Sequence, residues 1–165
     1  MITLIYPEDG RLEQLIPLGI CFVGAYLERY GIRVRALDMR YHKISDLKEA
    51  AKTSEFLGFS VMTIRLNKAL EFAKIAKKAN PKVKVIFGGP HPTIYPKETL
   101  SNKQVDFVVI GEGEETALDL LKNFDKPEKV NGIAFRKGRK VIITIPRDRI
   151  EDLDSLPFPD RDLFP

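Results

Sequence analysis

Short apolar runs alternate along most of the chain with longer segments of helical period. Five of these runs are rich in β-branched or aromatic residues and short enough to be buried on both faces, which predicts strands. They cover residues 2–6, 33–37, 56–61, 83–87 and 107–110. Between them, the spacing of apolar residues predicts helices. These cover residues 17–30, 46–51, 66–79 and 114–124.

Strand and helix alternate at a spacing that predicts right-handed crossovers and a parallel sheet with helices on both faces. The predicted fold class is α/β: a doubly wound, flavodoxin-like, five-stranded parallel sheet in a Rossmann-like three-layer arrangement. Two further runs, 132–136 and 140–145, predict a C-terminal β-hairpin. The following segment contains four prolines, which predicts an extended tail. We expect a domain over residues 1–145 and a linker or arm over 146–165, at the front of a longer protein.

Composition and charge narrow the class of protein. The chain has 165 residues, 44% of them hydrophobic, which is enough for one domain with a real core. The single cysteine, Cys21, excludes a disulfide framework and any metal cluster held by several of the chain's own cysteines. The net charge of +4 comes without a run of basic residues, so we expect no nucleic-acid partner. The longest mostly apolar stretch, 16–27, is too short to span a bilayer, and a cytoplasmic location is expected.

In a sheet of this kind, ligands bind beyond the carboxyl ends of the strands, so the loops there are the first place to look for function. The loop after the first strand offers Pro7, Glu8 and Asp9. Its two carboxylates would repel the phosphate that a flavodoxin loop binds, and a solvated turn is the better explanation of this loop taken alone. A response-regulator receiver would need an aspartate and a lysine where this chain has Ser60 and Gly111.

The loop after the third strand carries Ser60, Met62 and Thr63. Small hydroxyl side chains at the carboxyl end of a strand can bond a ligand that enters the crevice. Capping of the following helix explains the same residues equally well, so both interpretations stay open.

The loop after the fourth strand begins with Gly88-Gly89, followed by Pro90-His91-Pro92. Paired glycines remove side chains where another group must come close to the backbone, and the flanking prolines stiffen the segment. This pattern predicts a stiff loop that faces a ligand. His91 is ambiguous, because no second ligand lies at a metal-binding spacing from it.

The loop after the fifth strand reads Gly111-Glu112-Gly113-Glu114. It is not a dinucleotide fingerprint, because Thr116 stands at the third glycine position and the carboxylates would oppose a pyrophosphate. An acidic first helical turn explains Glu114 but leaves the glycines unexplained. We therefore expect a glycine-rich loop whose acids accept hydrogen bonds from hydroxyl, amide or backbone donors.

Together, these loops resemble the cobalamin-binding domain at the front of cobalamin-dependent radical-SAM proteins. The most specific runs are 88–93 and 106–116. The first helix, which opens with Leu18 and Gly19, looks like the first helix of that family. The tail at 153–161 is similar to the segment that leads into the family's radical-SAM barrel.

Cobalamin-binding folds in general carry Asp-x-His-x-x-Gly after the first strand, Ser-x-Leu after the third and Gly-Gly after the fourth. Ser60-Val61-Met62 is similar to the second signal, with methionine for leucine, and Gly88-Gly89 matches the third. The first loop contains no histidine. The resemblance therefore implies that cobalamin is bound without a protein histidine on cobalt.

The resemblance also assigns roles. It implies cobalamin as the cofactor and the radical-SAM domain of the same polypeptide as the partner. A four-iron cluster and S-adenosylmethionine would belong to that other domain, and the intact enzyme would perform methyl transfer or ring formation on a small-molecule or tetrapyrrole-like substrate. No catalytic residue and no metal ligand is expected on this chain. The expected cofactor-binding residues are Pro7, Glu8, Asp9, Leu18, Gly19, Ser60, Met62, Thr63, Gly88, Gly89, Pro90, His91, Gly111, Glu112, Gly113 and Glu114.

Two alternatives remain at this point. The same fold could lack a cofactor and serve as a structural or docking domain for the radical-SAM barrel. The chain could also be a stand-alone α/β domain that binds a nucleotide or a sugar, although the acidic first loop argues against a phosphate ligand.

Overall fold

The computed structural model describes residues 1–8 and 16–164, and strands and helices alternate through them much as the sequence predicts. The strands are β1 (Ile2–Tyr6), β2 (Val34–Asp38), β3 (Phe56–Ser60), β4 (Lys84–Gly88), β5 (Phe107–Val109), β6 (Ile133–Lys137) and β7 (Lys140–Ile143). The helices are α1 (Leu18–Arg29), α2 (Ile44–Thr53), α3 (Leu66–Ala79), α4 (Pro90–Ile94), α5 (Pro96–Ser101) and α6 (Glu114–Asn123).

The described strands form one sheet in the order β2-β1-β3-β4-β5-β6-β7. The first five in this order are parallel, and the arrangement is that of flavodoxin-like folds, with the switch in strand order between β1 and β3. This confirms the predicted fold class. The hairpin β6–β7 is antiparallel and joins the edge of β5, with Phe107 opposite Phe135. The predicted five-stranded sheet therefore becomes a seven-stranded mixed sheet.

Alternating side chains of the strands feed two separate cores, one on each face of the sheet. On one face, Ile5, Leu57 and Phe87 pack with α2 and α3. On the other face, Leu4 and Ile86 pack with α1 and α6. This second face, between the sheet and the helix pair α1/α6, is the one that matters for the site described below.

Helices α4 and α5 are not among the predicted elements. The sequence predicts a stiff loop after β4, whereas the structure continues as α4 from Pro90 and as α5 from Pro96. Each proline stands at the first position of its helix, where the missing N–H is not needed and the fixed φ angle suits the helical turn. The predicted stiff loop at 90–92 is therefore the first turn of α4, with Pro90 at its start and Pro92 within it.

The tail beyond residue 145 runs back across α1 and α6. Arg147 pairs with Glu115 and Asp119 of α6. Further along, Arg29 Nη1 of α1 donates to the Ser155 carbonyl at 2.7 Å, and Phe164 is buried in the core on this face. Within the described residues, no helix combines the length and apolar character needed to cross a membrane.

Candidate functional site

An open cavity of about 260 Å³ lies between the sheet and the helix pair α1/α6, and it reaches the carboxyl ends of β3, β4 and β5. Ligands of parallel α/β sheets bind at this edge, near the switch in strand order. The cavity is lined by Ile2, Leu4, Gly19, Ile20, Val23, Gly58, Phe59, Ser60, Ile86, Gly88, Gly89, Val109, Gly111, Glu112, Gly113, Glu114 and Ala117.

Two strand glycines leave room for this cavity. Gly58 lies in the middle of β3 and Gly88 ends β4, and both occupy positions whose side chains would point towards α1 and α6. A Cβ atom at Gly58 would lie 2.9 Å from Cδ2 of Leu4, and one at Gly88 would lie 3.7 Å from Cβ of Val109. Side chains at these two positions would fill the space that the glycines leave open.

Two further glycines shape the mouth of the cavity, because their backbone lies in the left-handed region. Gly89 has φ +98° and Gly111 has φ +80°. A Cβ atom at Gly89 would also lie 3.0 Å from the backbone nitrogen of Val61, whereas one at Gly111 would meet no atom within 4 Å. Close packing and backbone conformation both require glycine at 89, and conformation alone requires it at 111.

The acidic wall of the cavity comes from the start of α6. Glu112 and Glu114 both line the space. Burial raises the pKa of Glu114, and the nearby carboxylates of Glu112 and Glu115 add to the effect. Glu112 accepts a hydrogen bond of 2.8 Å from the backbone N–H of Ile150, so the tail is bonded directly to the rim of the cavity.

Several expected site residues line this cavity and others do not. The eight that line it are Gly19, Ser60, Gly88, Gly89, Gly111, Glu112, Gly113 and Glu114. Those that lie outside its lining are Pro7, Glu8, Leu18, Met62, Thr63, Pro90 and His91. Asp9 falls outside the described residues.

The side chains outside the lining have other contacts. Glu8 pairs with Arg65 at 2.5 Å, and a guanidinium nitrogen of the same arginine lies 3.0 Å from the sulfur of Met62. His91 is almost fully buried, with Nδ1 3.2 Å from the hydroxyl of Thr63. Glu8 after β1 and Met62 and Thr63 after β3, which are expected to contact a cofactor, therefore have partners within the protein. Leu18 stands exposed at the start of α1.

Sequence reasoning missed the apolar part of the lining. Ile2 and Leu4 of β1, Ile86 of β4 and Val109 of β5 line the cavity from three different strands, and no local motif marks them. Gly58 did carry a signal, since a glycine inside an apolar strand often marks a close approach of a ligand or of another backbone.

The composition of the lining is suited to binding a ligand. Among its described residues it holds one hydroxyl, two carboxylates and many apolar or glycine positions, without histidine, cysteine or lysine. Such a cavity can accept a slim and largely uncharged group, and its carboxylates can accept hydrogen bonds from amide or hydroxyl donors. Within the described residues, no cluster of three or more histidine, cysteine, aspartate or glutamate side chains could hold a metal ion.

The amino-acid sequence is similar to a known domain family and to parts of longer proteins. The family model of the B12 binding domain matches residues 11–121 of the chain. An uncharacterized methyltransferase of Pyrococcus horikoshii is 28% identical, over 100% of this chain and 39% of its own length. The anaerobic magnesium-protoporphyrin IX monomethyl ester cyclase of a Synechocystis species is 32% identical, over 86% of this chain and 30% of its own length.

The fold is also similar to part of a solved enzyme structure. The radical S-adenosylmethionine methyltransferase TsrM of Kitasatospora setae, with tryptophan and an S-adenosylmethionine analogue bound, aligns with a TM-score of 0.76 at 16% identity. The alignment covers 89% of this chain and 30% of that protein. The chain thus spans between 30% and 39% of the length of the proteins compared here.

Proposed function

This chain belongs to the B12-binding domain family, and from that premise we propose that it holds cobalamin in the glycine-floored cavity beside α1 and α6. The observation that carries the proposal is the open space over Gly58 and Gly88, at the edge of the sheet where such folds bind their ligands. The family membership confirms the resemblance inferred from the glycine loops. The position of the cofactor within this chain is the proposal.

The residues around the cavity fit such a group. Cobalamin has a long, slim nucleotide tail, and a crevice floored by glycines offers it a path beside the sheet. The amide groups at the rim of its corrin ring are hydrogen-bond donors, for which Glu112 and Glu114 are acceptors. When bound, cobalamin supplies a cobalt centre that can carry a methyl group. The role proposed for this chain's residues is to bind and orient the cofactor.

We propose further that cobalamin is bound without a histidine on cobalt. The chain has two histidines, His42 and His91. The ring of His42 bonds the backbone carbonyl of Asp38 through Nδ1 at 2.9 Å, and His91 is buried against Thr63 and Tyr95. Neither belongs to the lining of the cavity.

The role in a larger protein is also a proposal. Proteins similar to this chain include a methyltransferase, a cyclase and the radical S-adenosylmethionine methyltransferase TsrM, each more than twice its length, which supports a place as the cobalamin module of a radical-SAM enzyme. In that enzyme the four-iron cluster and S-adenosylmethionine would be held by the radical-SAM domain. The reaction would be methyl transfer or ring formation on a small-molecule or tetrapyrrole-like substrate.

Titration with hydroxocobalamin, followed by the visible spectrum, tests the cofactor proposal. We expect saturable binding by the wild type and a graded loss in Gly88→Ala and Gly88→Val, because the added methyl groups project into the cavity. Position 88 suits this test better than position 89, since it lacks a positive φ angle and the variants keep a backbone that any residue adopts. Circular dichroism and cooperative thermal unfolding verify that each variant is folded.

Two results would contradict the proposal. Absence of binding by the folded wild type up to high micromolar cobalamin would favour the alternative of a docking domain that has no cofactor. Unchanged affinity in a folded Gly88→Val variant would show that cobalamin binds elsewhere on the domain.

A further inference from the structure

The ladder between β4 and β5 ends before the mouth of the cavity. These strands pair at two positions, Ile86 with Phe107 and Phe87 with Val108. Beyond them, the short connection at Gly89 between β4 and α4 (the Gly89 loop) and residues 111–113 before α6 (the Gly111 loop) both line the cavity. No strand pairing holds these two loops together, so their separation has to be set by another contact.

Thr93, on α4, supplies that contact. Its hydroxyl donates to the backbone carbonyl of Gly89 at 2.9 Å and accepts a hydrogen bond of 3.0 Å from the backbone N–H of Gly111. The two glycines that this hydroxyl joins are those at the mouth with positive φ angles. One side chain therefore links the two loops across the gap between β4 and β5.

We propose that Thr93 is a positioning residue for the cofactor cavity, which sets the distance and relative orientation of the Gly89 and Gly111 loops. The proposal rests on the proposed function for its ligand, while the link between the loops stands on the geometry alone. Thr93 does not itself line the cavity, so it acts through the two glycines.

The chemistry of the hydroxyl fixes the direction of both bonds. A backbone N–H can only donate, so the Thr93 oxygen must accept from Gly111 and keeps its own hydrogen for the carbonyl of Gly89. The bond to Gly89 is the common one from a helical threonine to the carbonyl four residues earlier. The bond to Gly111 is the additional one, and it requires α4 to lie where the structure places it.

The Gly111 loop has a second anchor on its other side. The backbone N–H of Ile110 donates to the carbonyl of Gly132 at 2.8 Å, which ties the end of β5 towards β6. A Cβ atom at Gly111 would meet no atom within 4 Å, so no other segment packs against that side of the residue. Thr93 is thus the contact on the α4 side that holds Gly111 in its left-handed conformation.

Three variants test this role. Thr93→Val keeps the shape and removes both hydrogen bonds, and Thr93→Ser restores the hydroxyl. Thr53→Val is the matched control, because Thr53 makes the same bond to the carbonyl four residues earlier, at 2.8 Å, on the exposed face of α2. The measurements are the hydroxocobalamin affinity of each variant and the hydrogen-exchange rate of the Gly111 amide in the cofactor-free protein.

We expect Thr93→Val to bind cobalamin about tenfold more weakly, as loss of roughly one net hydrogen bond implies. We expect Thr93→Ser and Thr53→Val to stay within about twofold of the wild type. The Gly111 amide should exchange faster in Thr93→Val alone, because only this variant removes its acceptor.

The proposal is overturned if folded Thr93→Val binds cobalamin as tightly as the wild type. It is also overturned if Thr93→Ser is as weak as Thr93→Val, since packing of the methyl group would then be responsible. If the wild type itself fails to bind cobalamin, the proposed function fails. An unchanged exchange rate of the Gly111 amide in Thr93→Val would show that Thr93 does not hold the two loops together, whether or not a cofactor binds.

Discussion

Three neighbouring glutamates at the start of α6 have different environments although they look alike in the sequence. Glu112 bonds the backbone of the tail, and Glu115 pairs with Arg147. Glu114 lies in the wall of the cavity, where burial and the neighbouring carboxylates raise its pKa. A carboxyl group whose pKa is raised by folding destabilises the folded state when it is charged. Charged Glu114 therefore lowers the free energy of unfolding of the domain.

Glu114→Gln should stabilise the domain in a pH-dependent way. Because the pKa of Glu114 is higher in the folded state, folding favours the protonated form of this carboxyl group. Its contribution to the free energy of unfolding is therefore fully present below the ordinary pKa and is lost as the pH rises through the folded-state pKa. We therefore expect Glu114→Gln to melt higher than the wild type at about pH 8, and the difference to shrink towards about pH 4. Thermal unfolding across this range measures it.

A matched control is Glu49→Gln, on the exposed face of α2. It should show little difference from the wild type over the same range, because the carboxylate it removes is solvated. A gain in Glu114→Gln that is the same at every pH would contradict the assignment of the effect to the titration of this carboxyl group.

At the scale of elements, α1 is the surface on which the tail packs. The last short turn of the tail, Arg161–Leu163, lies against this helix, and a Cβ atom at Gly24 would collide with Cδ1 of Leu163. The backbone N–H of Asp160 donates to the carbonyl of Cys21 at 3.2 Å. The missing side chain at position 24 therefore leaves the space that the end of the Leu163 side chain occupies against α1.

Gly24→Ala should displace the end of the tail. The new methyl group clashes with Leu163, although alanine favours the helix itself by up to about 1 kcal/mol. Cys21 gives a direct readout, because it is fully buried and both burial and nearby Asp160 raise the pKa of its thiol. We expect the thiol to react faster with a disulfide reagent in Gly24→Ala than in the wild type.

Gly19→Ala provides the comparison, since a methyl group there, on the same helix, would meet no atom within 4 Å. Its thiol should react at the rate of the wild type. Equal rates in Gly24→Ala and Gly19→Ala would show that the tail tolerates a side chain at position 24.

At the scale of the whole molecule, the order of the strands brings the cavity together. Placing β1 between β2 and β3 puts residues that are far apart in the chain onto one face of the sheet, where Leu4, Gly58 and Ile86 lie side by side. Helices α1 and α6 close this face, and Gly113 packs near Val23 between them, where a Cβ atom would lie only 3.0 Å away. A ligand in the cavity would therefore touch elements from the first third of the chain to α6.

A ligand that contacts so many elements should stabilise the entire domain. Binding to the folded state alone adds about 2.7 kcal/mol when cobalamin is present at about a hundred times its dissociation constant. For a domain of this size, this corresponds to a rise of roughly 5–10 °C in the melting temperature. Circular dichroism at a far-ultraviolet wavelength measures it, and Gly88→Val should show no such rise. A rise of the same size in that variant would contradict binding in this cavity.

The sequence predicts an element correctly when the pattern that specifies it lies within that segment, and fails when the element depends on contacts with distant segments. Helix α3 was predicted at its observed bounds, because the 3.6-residue period of its apolar positions is contained within the segment. Pro90 and Pro92 predict a stiff loop but lie in α4, since a proline that starts a helix and one that breaks it look the same without the surrounding contacts. The pairing of the hairpin with β5 depends on a distant edge and is likewise invisible in the local pattern.

The fold class, the loops at the carboxyl edge and the family to which their glycines point can all be inferred from the amino-acid sequence. These follow from local periods, turn residues and short motifs, which a chain carries wherever it folds. Only the tertiary structure decided which face of the sheet opens into a cavity, which residues of distant strands form its floor, and that Thr93 joins two loops at its mouth. Such properties depend on strand register and on contacts between segments far apart in the chain, and no local pattern records them.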